Sequence, residues 1–145
     1  MFGLTRVANT PVRYPLQKPD AEWRRILPPD AYQVLRQEGT ERPGTSPLLN
    51  EHRSGAFRCR ACNWPLFSSR NKFESGTGWP SFDRPINGRA VAQITDTSLF
   101  MSRTAVNCAN CGGHLGHVFN DGPILTTGLR YCMNGVAMTF QPGPA

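Results

Sequence analysis

The chain has 145 residues, a formal net charge of +6 and five cysteines, and 39% of its residues are hydrophobic. This composition is typical of one soluble globular domain with a substantial core, and it excludes a wholly disordered chain. No run of about 18 apolar residues occurs, which excludes a membrane-spanning helix. The first 20 residues lack the continuous apolar segment of a secretory signal. We therefore expect a cytoplasmic protein whose cysteines are not paired in a disulfide framework.

The excess positive charge raises the question of nucleic-acid binding. Residues 1–70 carry +5 of that charge, and residues 71–145 carry +1. The basic residues alternate with acids and form no block of like charge, which favours a solvated basic face. We expect no nucleic-acid partner.

The predicted elements begin with an extended arm over residues 1–19, where prolines recur without apolar periodicity. The next segments predict short helices from Asp20 to Leu27 and from about Asp30 to Gln37. Residues 40–55 are predicted to form a loop or an extended segment. Short β-type runs then alternate with turn signals: Phe57–Cys59, Pro65–Phe67, Arg89–Thr95, Ser98–Val106, Gly116–Phe119 and Arg130–Phe140. The pattern predicts one mainly β, antiparallel domain over residues 20–145.

Four of the five cysteines form two Cys-x-x-Cys hooks separated by 45 residues, Cys59/Cys62 and Cys108/Cys111. Four thiolates close a tetrahedral zinc site and leave no position for water, so the hooks predict one structural zinc ion. The separation exceeds that of a compact zinc ribbon, so the metal would join two distant loops. The alternative is a pair of free or redox-active dithiols.

The fifth cysteine, Cys132, lies in a run that reads as a strand. Period-two alternation would place Arg130, Cys132 and Asn134 on one face of that strand. A guanidinium beside a thiol favours the nucleophilic thiolate, and the Asn134 amide could hydrogen-bond a reacting oxygen. A free cysteine that serves only as a small core side chain is an equally open interpretation.

Two histidines, His114 and His117, directly follow the second hook, so that Cys111 anchors the segment that carries them. Histidine donates and accepts protons near neutral pH, and Asp121 in the next turn is a candidate to orient one imidazole. Each histidine could instead be an ordinary structural residue. A role as a zinc ligand is disfavoured, because four thiols already fill that site.

The segment Ser75–Phe82 reads Ser-Gly-Thr-Gly-Trp-Pro-Ser-Phe, which predicts a shaped surface loop rather than a core strand. Trp79 in this loop could form the wall of an apolar pocket. Packing at a hinge is the alternative role for this tryptophan.

Taken together, the motifs resemble those of the methionine-R-sulfoxide reductases, the B class of methionine sulfoxide reductases. The resemblance covers roughly residues 20–141. Besides the two hooks it includes six segments: Asp20–Arg25, Gly39–Pro43, Ser75–Phe82, His114–Phe119, Asp121–Pro123 and Arg130–Asn134. It implies a β-tent of two antiparallel sheets with two or three short N-terminal helices, and a structural zinc opposite the active site of a single catalytic domain.

The resemblance also implies roles for seven residues outside the zinc site. These are the nucleophile Cys132, the sulfoxide-binding and proton-delivering His114, His117 and Asn134, the S-methyl pocket residue Trp79, and the supporting Arg130 and Asp121. In the implied reaction the Cys132 thiolate attacks the sulfoxide sulfur while a protonated His117 donates to the oxygen. Methionine leaves, and Cys132 becomes a sulfenic acid.

One departure from the family pattern concerns recycling of the enzyme. Many members have a cysteine in the middle of Ser-Gly-Cys-Gly-Trp, whereas this chain has Thr77. With the other four thiols committed to zinc, we expect a one-cysteine enzyme whose sulfenic acid is reduced by an external thiol such as thioredoxin. The expected substrates are protein methionine-R-sulfoxides, and we expect a monomer.

Two other classes of protein are alternatives. A zinc-ribbon module that binds nucleic acid or protein explains the hooks and the basic charge, but not the two histidines, the Trp79 loop or Cys132. A thiol–disulfide oxidoreductase that uses the hooks lacks the expected βαβ pattern.

Overall fold

The computed structural model describes residues 13–98 and 101–145. Two short helices open the fold, α1 (Asp20–Ile26) and α2 (Pro29–Gln37). Pro29 suits the first turn of α2, because the missing N–H of a proline would have no helical partner there. In these two ranges no helix has both the length and the apolar character needed to cross a bilayer.

Nine strands follow in the described part of the chain, and each is antiparallel to its neighbours. They are β1 (Gly55–Cys59), β2 (Pro65–Ser68), β3 (Lys72–Phe73), β4 (Ser81–Phe82), β5 (Val91–Asp96), β6 (Arg103–Cys108), β7 (His114–Phe119), β8 (Arg130–Met133) and β9 (Met138–Pro142). One sheet has the order β2-β1-β9 and the other has the order β3-β4-β8-β7-β6-β5. The expected mainly β fold of two antiparallel sheets with N-terminal helices is confirmed.

Three local predictions differ from the structure. The expected strand from Arg130 to Phe140 is broken by a 3-10 turn at Gly135–Ala137, because the N–H groups there bond to Glu41 instead of a neighbouring strand. The expected strand from Ser98 begins only at Arg103, and Leu99 and Phe100 lie outside the described residues. The end of the expected surface loop, Ser81–Phe82, is the buried strand β4.

The N-terminal arm is only partly described, since residues 1–12 lie outside the described ranges. Its remaining part packs across the second hook. The Leu16 N–H donates to the Asn110 carbonyl at 2.9 Å, and a Cβ on Gly112 would meet the ring of Tyr14. The division between an arm and a domain at residue 20 stays a prediction.

An aromatic cluster joins the two sheets. The ring centroids of Phe57 in β1 and Phe82 in β4 are 5.0 Å apart. Phe67 of β2 stacks on Phe82 with a centroid distance of 4.3 Å. Tyr131 of β8 extends the cluster, with its ring centroid 5.9 Å from that of Phe67. All four rings are buried. Burial of each such side chain contributes roughly 1.5–3 kcal/mol, so this cluster is a large part of what holds the sheets together.

Strands β7 and β8 approach each other closely at Gly116. The register pairs Gly116 with Met133 and His117 with Cys132. A Cβ on Gly116 would overlap the carbonyl oxygen of Cys132 and would lie 3.0 Å from the Met133 Cα. The pairing therefore requires a residue without a side chain at this position.

We expect Gly116→Ala to lower the free energy of unfolding by about 1–3 kcal/mol, because the added methyl group forces β7 and β8 apart. Gly88→Ala is the matched control, since a Cβ there meets nothing within 4 Å. The control should change stability by less than about 1 kcal/mol. Urea unfolding measures both variants, and equal effects would show that the β7–β8 pairing tolerates a side chain.

Candidate active site and cysteine cluster

The four thiols of the two hooks come together in the folded chain. The Sγ atoms of Cys59 and Cys111 are 3.7 Å apart, those of Cys62 and Cys108 are 3.6 Å apart, and all four lie within 4.8 Å of one another. Zinc bonds to sulfur at about 2.3 Å, which places tetrahedral ligands about 3.8 Å apart. The donor set and its spacing therefore fit a four-coordinate zinc ion.

Each of the two hooks ends in a backbone turn of the same conformation. Asn63 and Gly112, which follow the second cysteine of each hook, have φ values of 68° and 76°. Their N–H groups donate to the carbonyls of Cys59 at 2.7 Å and Cys108 at 2.9 Å. Glycine adopts this left-handed conformation without strain, and asparagine is among the few other residues that tolerate it. Because Cys59 ends β1 and Cys108 ends β6, the cluster joins one sheet to the other.

The fifth thiol lies beside an imidazole on the larger sheet. Cys132 of β8 is directly opposite His117 of β7 and Ser81 of β4. Directly opposite residues of antiparallel strands project from the same face. Cys132 and His117 are both half-buried. The register thus brings together a thiol and an imidazole, a pairing that can support nucleophilic catalysis.

A β-bulge brings the second histidine to the same face. Strict alternation would place His114 and His117 on opposite faces, since they are three residues apart. The register with β6 shifts after Val106, so that Asn107 pairs with His114 and Leu115 is the extra residue. The two imidazole rings consequently lie with their centroids 5.3 Å apart. Bulges commonly re-aim side chains in this way.

The two histidines have different electrostatic surroundings. His117 Nε2 is 2.8 Å from Asp96 Oδ2, and this contact is the largest cause of a pKa of Asp96 well below its usual range. His114 is only 5% exposed. Burial, together with the nearby positive charge of His117, lowers the pKa of His114 to about 4. His114 is therefore neutral at physiological pH, whereas His117 has a carboxylate to orient its ring.

The carboxylate that contacts a histidine side chain is not the one expected from the sequence. Asp121 does not orient an imidazole; it forms a two-point ion pair with Arg130, Nε to Oδ1 at 2.9 Å and Nη2 to Oδ2 at 3.1 Å. Asp96 takes the expected place beside His117. Sequence reasoning missed Asp96 because the register of β5, β6 and β7 brings it there across 21 residues.

The pKa of the Cys132 thiol is shifted in opposite directions by two effects. Burial raises its pKa and is the largest cause of the shift, while Arg130 and a hydrogen bond with Thr77 act to lower it. The guanidinium favours the thiolate as the sequence predicts, but burial outweighs it. The resting thiol therefore keeps its proton at neutral pH.

Three hydroxyl groups lie close together at the start of β4, the strand that pairs with the Cys132 strand. The Ser75 Oγ is 2.8 Å from the Thr77 Oγ1 and 2.7 Å from the Ser81 Oγ. The Trp79 N–H donates to the Thr77 Oγ1 at 3.3 Å, and its indole Nε1 donates to the Glu41 carbonyl at 3.0 Å. Trp79 is half-buried and lies two residues before Ser81. The loop is thus held by hydrogen bonds among its own hydroxyl groups and by the bond of the Trp79 indole to Glu41.

Asn134 directly follows the last residue of β8, Met133, and its backbone is still extended. The Asn134 side chain is buried and bonded to backbone groups. Its Nδ2 donates to the Leu115 carbonyl at 2.9 Å, and its Oδ1 accepts from the Glu41 N–H at 2.9 Å. These bonds brace the bulge of β7 against the loop that follows α2.

A cavity of about 140 Å³ lies beside the two histidines. His114, His117 and Asp96 line it, together with Arg103 and Asn107. The Arg103 Nε and the Asn107 Oδ1 are buried and lack a hydrogen-bond partner within the described residues. A polar cavity of this size can hold ordered water that satisfies such groups.

The sequence of the chain is similar to a known family of proteins. The SelR domain family matches residues 27–142. The peptide methionine sulfoxide reductase MsrB of Leifsonia xyli is 54% identical over 129 residues, which are 89% of this chain and 93% of the relative. The proteins of the same name from Agrobacterium fabrum and Methanosarcina barkeri are 53% and 51% identical over 88% and 87% of this chain, and over 93% and 88% of their own lengths.

These relatives are all called peptide methionine sulfoxide reductases, which defines the class of protein that the chain resembles. The chain belongs to the SelR domain family, and the resemblance read from its motifs is confirmed. A zinc-ribbon module and a thiol–disulfide oxidoreductase are thereby set aside.

We expect Arg130→Gln to raise the pKa of the Cys132 thiol, because a cation that favours the thiolate is removed. At a pH below that pKa, alkylation of Cys132 by iodoacetamide should slow by about threefold for each pKa unit of the shift, because the greater nucleophilicity of a more basic thiolate partly offsets the smaller thiolate fraction. Peptide mass spectrometry over a pH series measures this rate at Cys132 alone. Arg84→Gln, at an exposed arginine, is the control. An unchanged pH profile for Arg130→Gln would show that the guanidinium does not act on the thiol.

Proposed function

We propose that this protein is a peptide-methionine (R)-S-oxide reductase with Cys132 as its nucleophile. The observation that carries the proposal is the register of β7 and β8, which sets Cys132 opposite His117. The names of the relatives support the reaction, since each is called a peptide methionine sulfoxide reductase.

The reaction transfers the sulfoxide oxygen to the enzyme. The Cys132 sulfur attacks the sulfoxide sulfur and forms a sulfur–sulfur bond while the oxygen is protonated. The hydroxyl oxygen then bonds to the Cys132 sulfur as its bond to the methionine sulfur and the new sulfur–sulfur bond both break. Methionine leaves in the reduced form, and Cys132 is oxidised by two electrons to a sulfenic acid. A first external thiol displaces water to form a mixed disulfide, and a second thiol releases the free Cys132 as the external disulfide forms.

His117 is the proposed proton donor to the sulfoxide oxygen. Its hydrogen bond to Asp96 orients the ring, and the neighbouring cavity offers a path for a proton to return through water. His114 packs against this ring and is held neutral by burial, so its proposed role is to bind the oxygen and shape the site. Protonation of the oxygen makes it a better leaving group and supports attack by the thiol.

Trp79 is the proposed contact for the S-methyl group. The indole belongs to the loop that leads into β4, the strand that pairs with the Cys132 strand. A rigid ring there accepts the methyl group in one orientation, which selects one sulfoxide epimer. Asn134 and Arg130 are proposed to support the site. The buried Asn134 amide braces the bulge that carries the histidines, and Arg130, held by Asp121, favours the thiolate as it forms.

One structural zinc ion is the proposed cofactor, bound by Cys59, Cys62, Cys108 and Cys111. The spacing of the four thiols fits a closed tetrahedral site. Bound zinc supplies a crosslink between strand ends of the two sheets and takes no part in catalysis. The thiols of the hooks are then unavailable to recycle Cys132.

Recycling is proposed to need an external thiol, of which thioredoxin is the expected example. The position of the family's recycling cysteine is Thr77, whose hydroxyl acts to lower the pKa of the Cys132 thiol. We further propose that the protein is a cytoplasmic monomer. Its proposed substrates are oxidised protein methionines, and it has no nucleic-acid partner.

The class of reaction is tested with separated R and S epimers of a methionine sulfoxide peptide and dithiothreitol as the reductant. We expect selective loss of the R epimer, and no measurable turnover by Cys132→Ser, because a serine hydroxyl is a far weaker nucleophile than a thiol. Thr77→Ser, which keeps the hydroxyl beside Cys132, is the control that should remain active. Equal loss of both epimers, or an active Cys132→Ser, would contradict the proposal.

The recycling scheme is tested by one turnover without reductant, followed by mass spectrometry and metal analysis. We expect one added oxygen, about 16 Da, at Cys132, with the four hook thiols and one zinc ion per chain unchanged. Thr77→Cys is the matched variant. Its new thiol lies within reach of Cys132 and should form an internal disulfide instead. A disulfide between Cys132 and a hook cysteine in the natural chain would refute the one-cysteine scheme.

A further inference from the structure

Glu41 is a half-buried carboxylate that neither the zinc site nor the proton transfer uses. It lies in the loop after α2, within the Gly39–Pro43 segment. It forms no ion pair with a lysine or arginine of residues 13–98 and 101–145. Its burial therefore has to be balanced by other hydrogen bonds.

Both carboxylate oxygens bond to the turn that follows Cys132. The Gly135 N–H donates to Oε2 at 2.9 Å, and the Val136 N–H donates to Oε1 at 2.9 Å. Hydrogen bonds to a charged acceptor are about twice as strong as neutral ones. This pair of bonds fixes the 3-10 turn at the end of the nucleophile's strand.

The backbone of Glu41 bonds to two other parts of the site. Its N–H donates to the Asn134 Oδ1 at 2.9 Å, and its carbonyl accepts from the Trp79 indole Nε1 at 3.0 Å. One residue thus connects the chain beyond Cys132 with the indole of Trp79. These partners lie 38 and 93–95 positions away in sequence, so the connection is tertiary and not local.

We propose that Glu41 is a positioning residue that fixes the Trp79 indole relative to Cys132, and so sets the affinity and the epimer selectivity for the sulfoxide. The carboxylate anchors the residue to the Gly135–Val136 turn, and the anchored carbonyl then holds the ring. This inference rests on the proposed function, because it assigns a role within that reaction.

The substitution Glu41→Gln tests the role of the carboxylate most directly. Glutamine has the same shape but only one acceptor oxygen, so its NH₂ group would face a backbone N–H. The anchor would loosen while the volume of the side chain is kept. Glu51→Gln is the matched control, since that carboxylate also accepts a backbone N–H, from Arg53, but contacts neither Trp79 nor the turn.

The experiment measures kcat and KM for R and S epimer peptides with the natural chain, Glu41→Gln, Trp79→Phe, the double variant and Glu51→Gln. We expect Glu41→Gln to raise KM for the R epimer and to lower R-over-S selectivity, each by about tenfold, since small misplacements cost up to about 10²-fold. Zinc content and the rate of Cys132 alkylation should stay within about twofold of the natural chain. A general loss of structure would change both of these.

Trp79→Phe tests the connection, because phenylalanine lacks the N–H that bonds to the Glu41 carbonyl. If Glu41 acts through this ring, adding Glu41→Gln to Trp79→Phe should reduce selectivity by less than about twofold further. Multiplicative effects of the two substitutions would overturn the inference. So would a Glu41→Gln variant that matches Glu51→Gln.

The outcomes also separate this inference from the proposed function. If the natural chain reduces neither epimer or both equally, the proposed function fails. If it is selective for the R epimer and Glu41→Gln keeps that selectivity, only the role of Glu41 fails. Should Glu41→Gln not fold, Trp79→Phe alone remains decisive, because full selectivity without the indole N–H would overturn the inference.

Discussion

The close pairing of β7 with β8 is the constraint on which the candidate site depends. It sets His117 directly opposite Cys132, and it is possible only because Gly116 has no side chain to separate the two strands. The extra residue Leu115 then turns His114 to the same face. A thiol and two imidazoles therefore come together through backbone register, which is set more rigidly than any loop conformation.

Sequence reasoning found the residues whose roles depend on local spacing and missed those whose roles depend on register. The hooks and the odd thiol Cys132 could be picked out from composition and spacing alone. Asp96 could not, because its contact with His117 crosses two strand pairings. Glu41 was visible only as part of a motif, since its partners lie 38 or more positions away. The same carboxylate explains why one predicted strand became β8, a turn and β9.

The cysteine cluster and the aromatic cluster hold the two sheets together in different ways. The rings of Phe57, Phe67 and Phe82 provide burial that needs no partner from solution. The hooks at the ends of β1 and β6 bring together thiols that lie 46 to 52 positions apart in sequence, and the proposed zinc ion would crosslink them. Metal affinity and folding free energy are coupled in such a site, so zinc supply would influence how much folded protein exists.

In the proposed one-cysteine scheme, Thr77 also determines how the activity would be lost. A sulfenic acid that no neighbouring thiol captures persists until an external thiol arrives. A second oxidant can reach it first and convert it to a sulfinic acid, which most cells cannot reverse at such a site. In each cycle, reduction of the sulfenic acid by a thiol then competes with its further oxidation. The ratio of thiol to oxidant concentration determines which reaction occurs. Under severe oxidative stress the enzyme is consumed by its own chemistry, and new synthesis sets the capacity for repair.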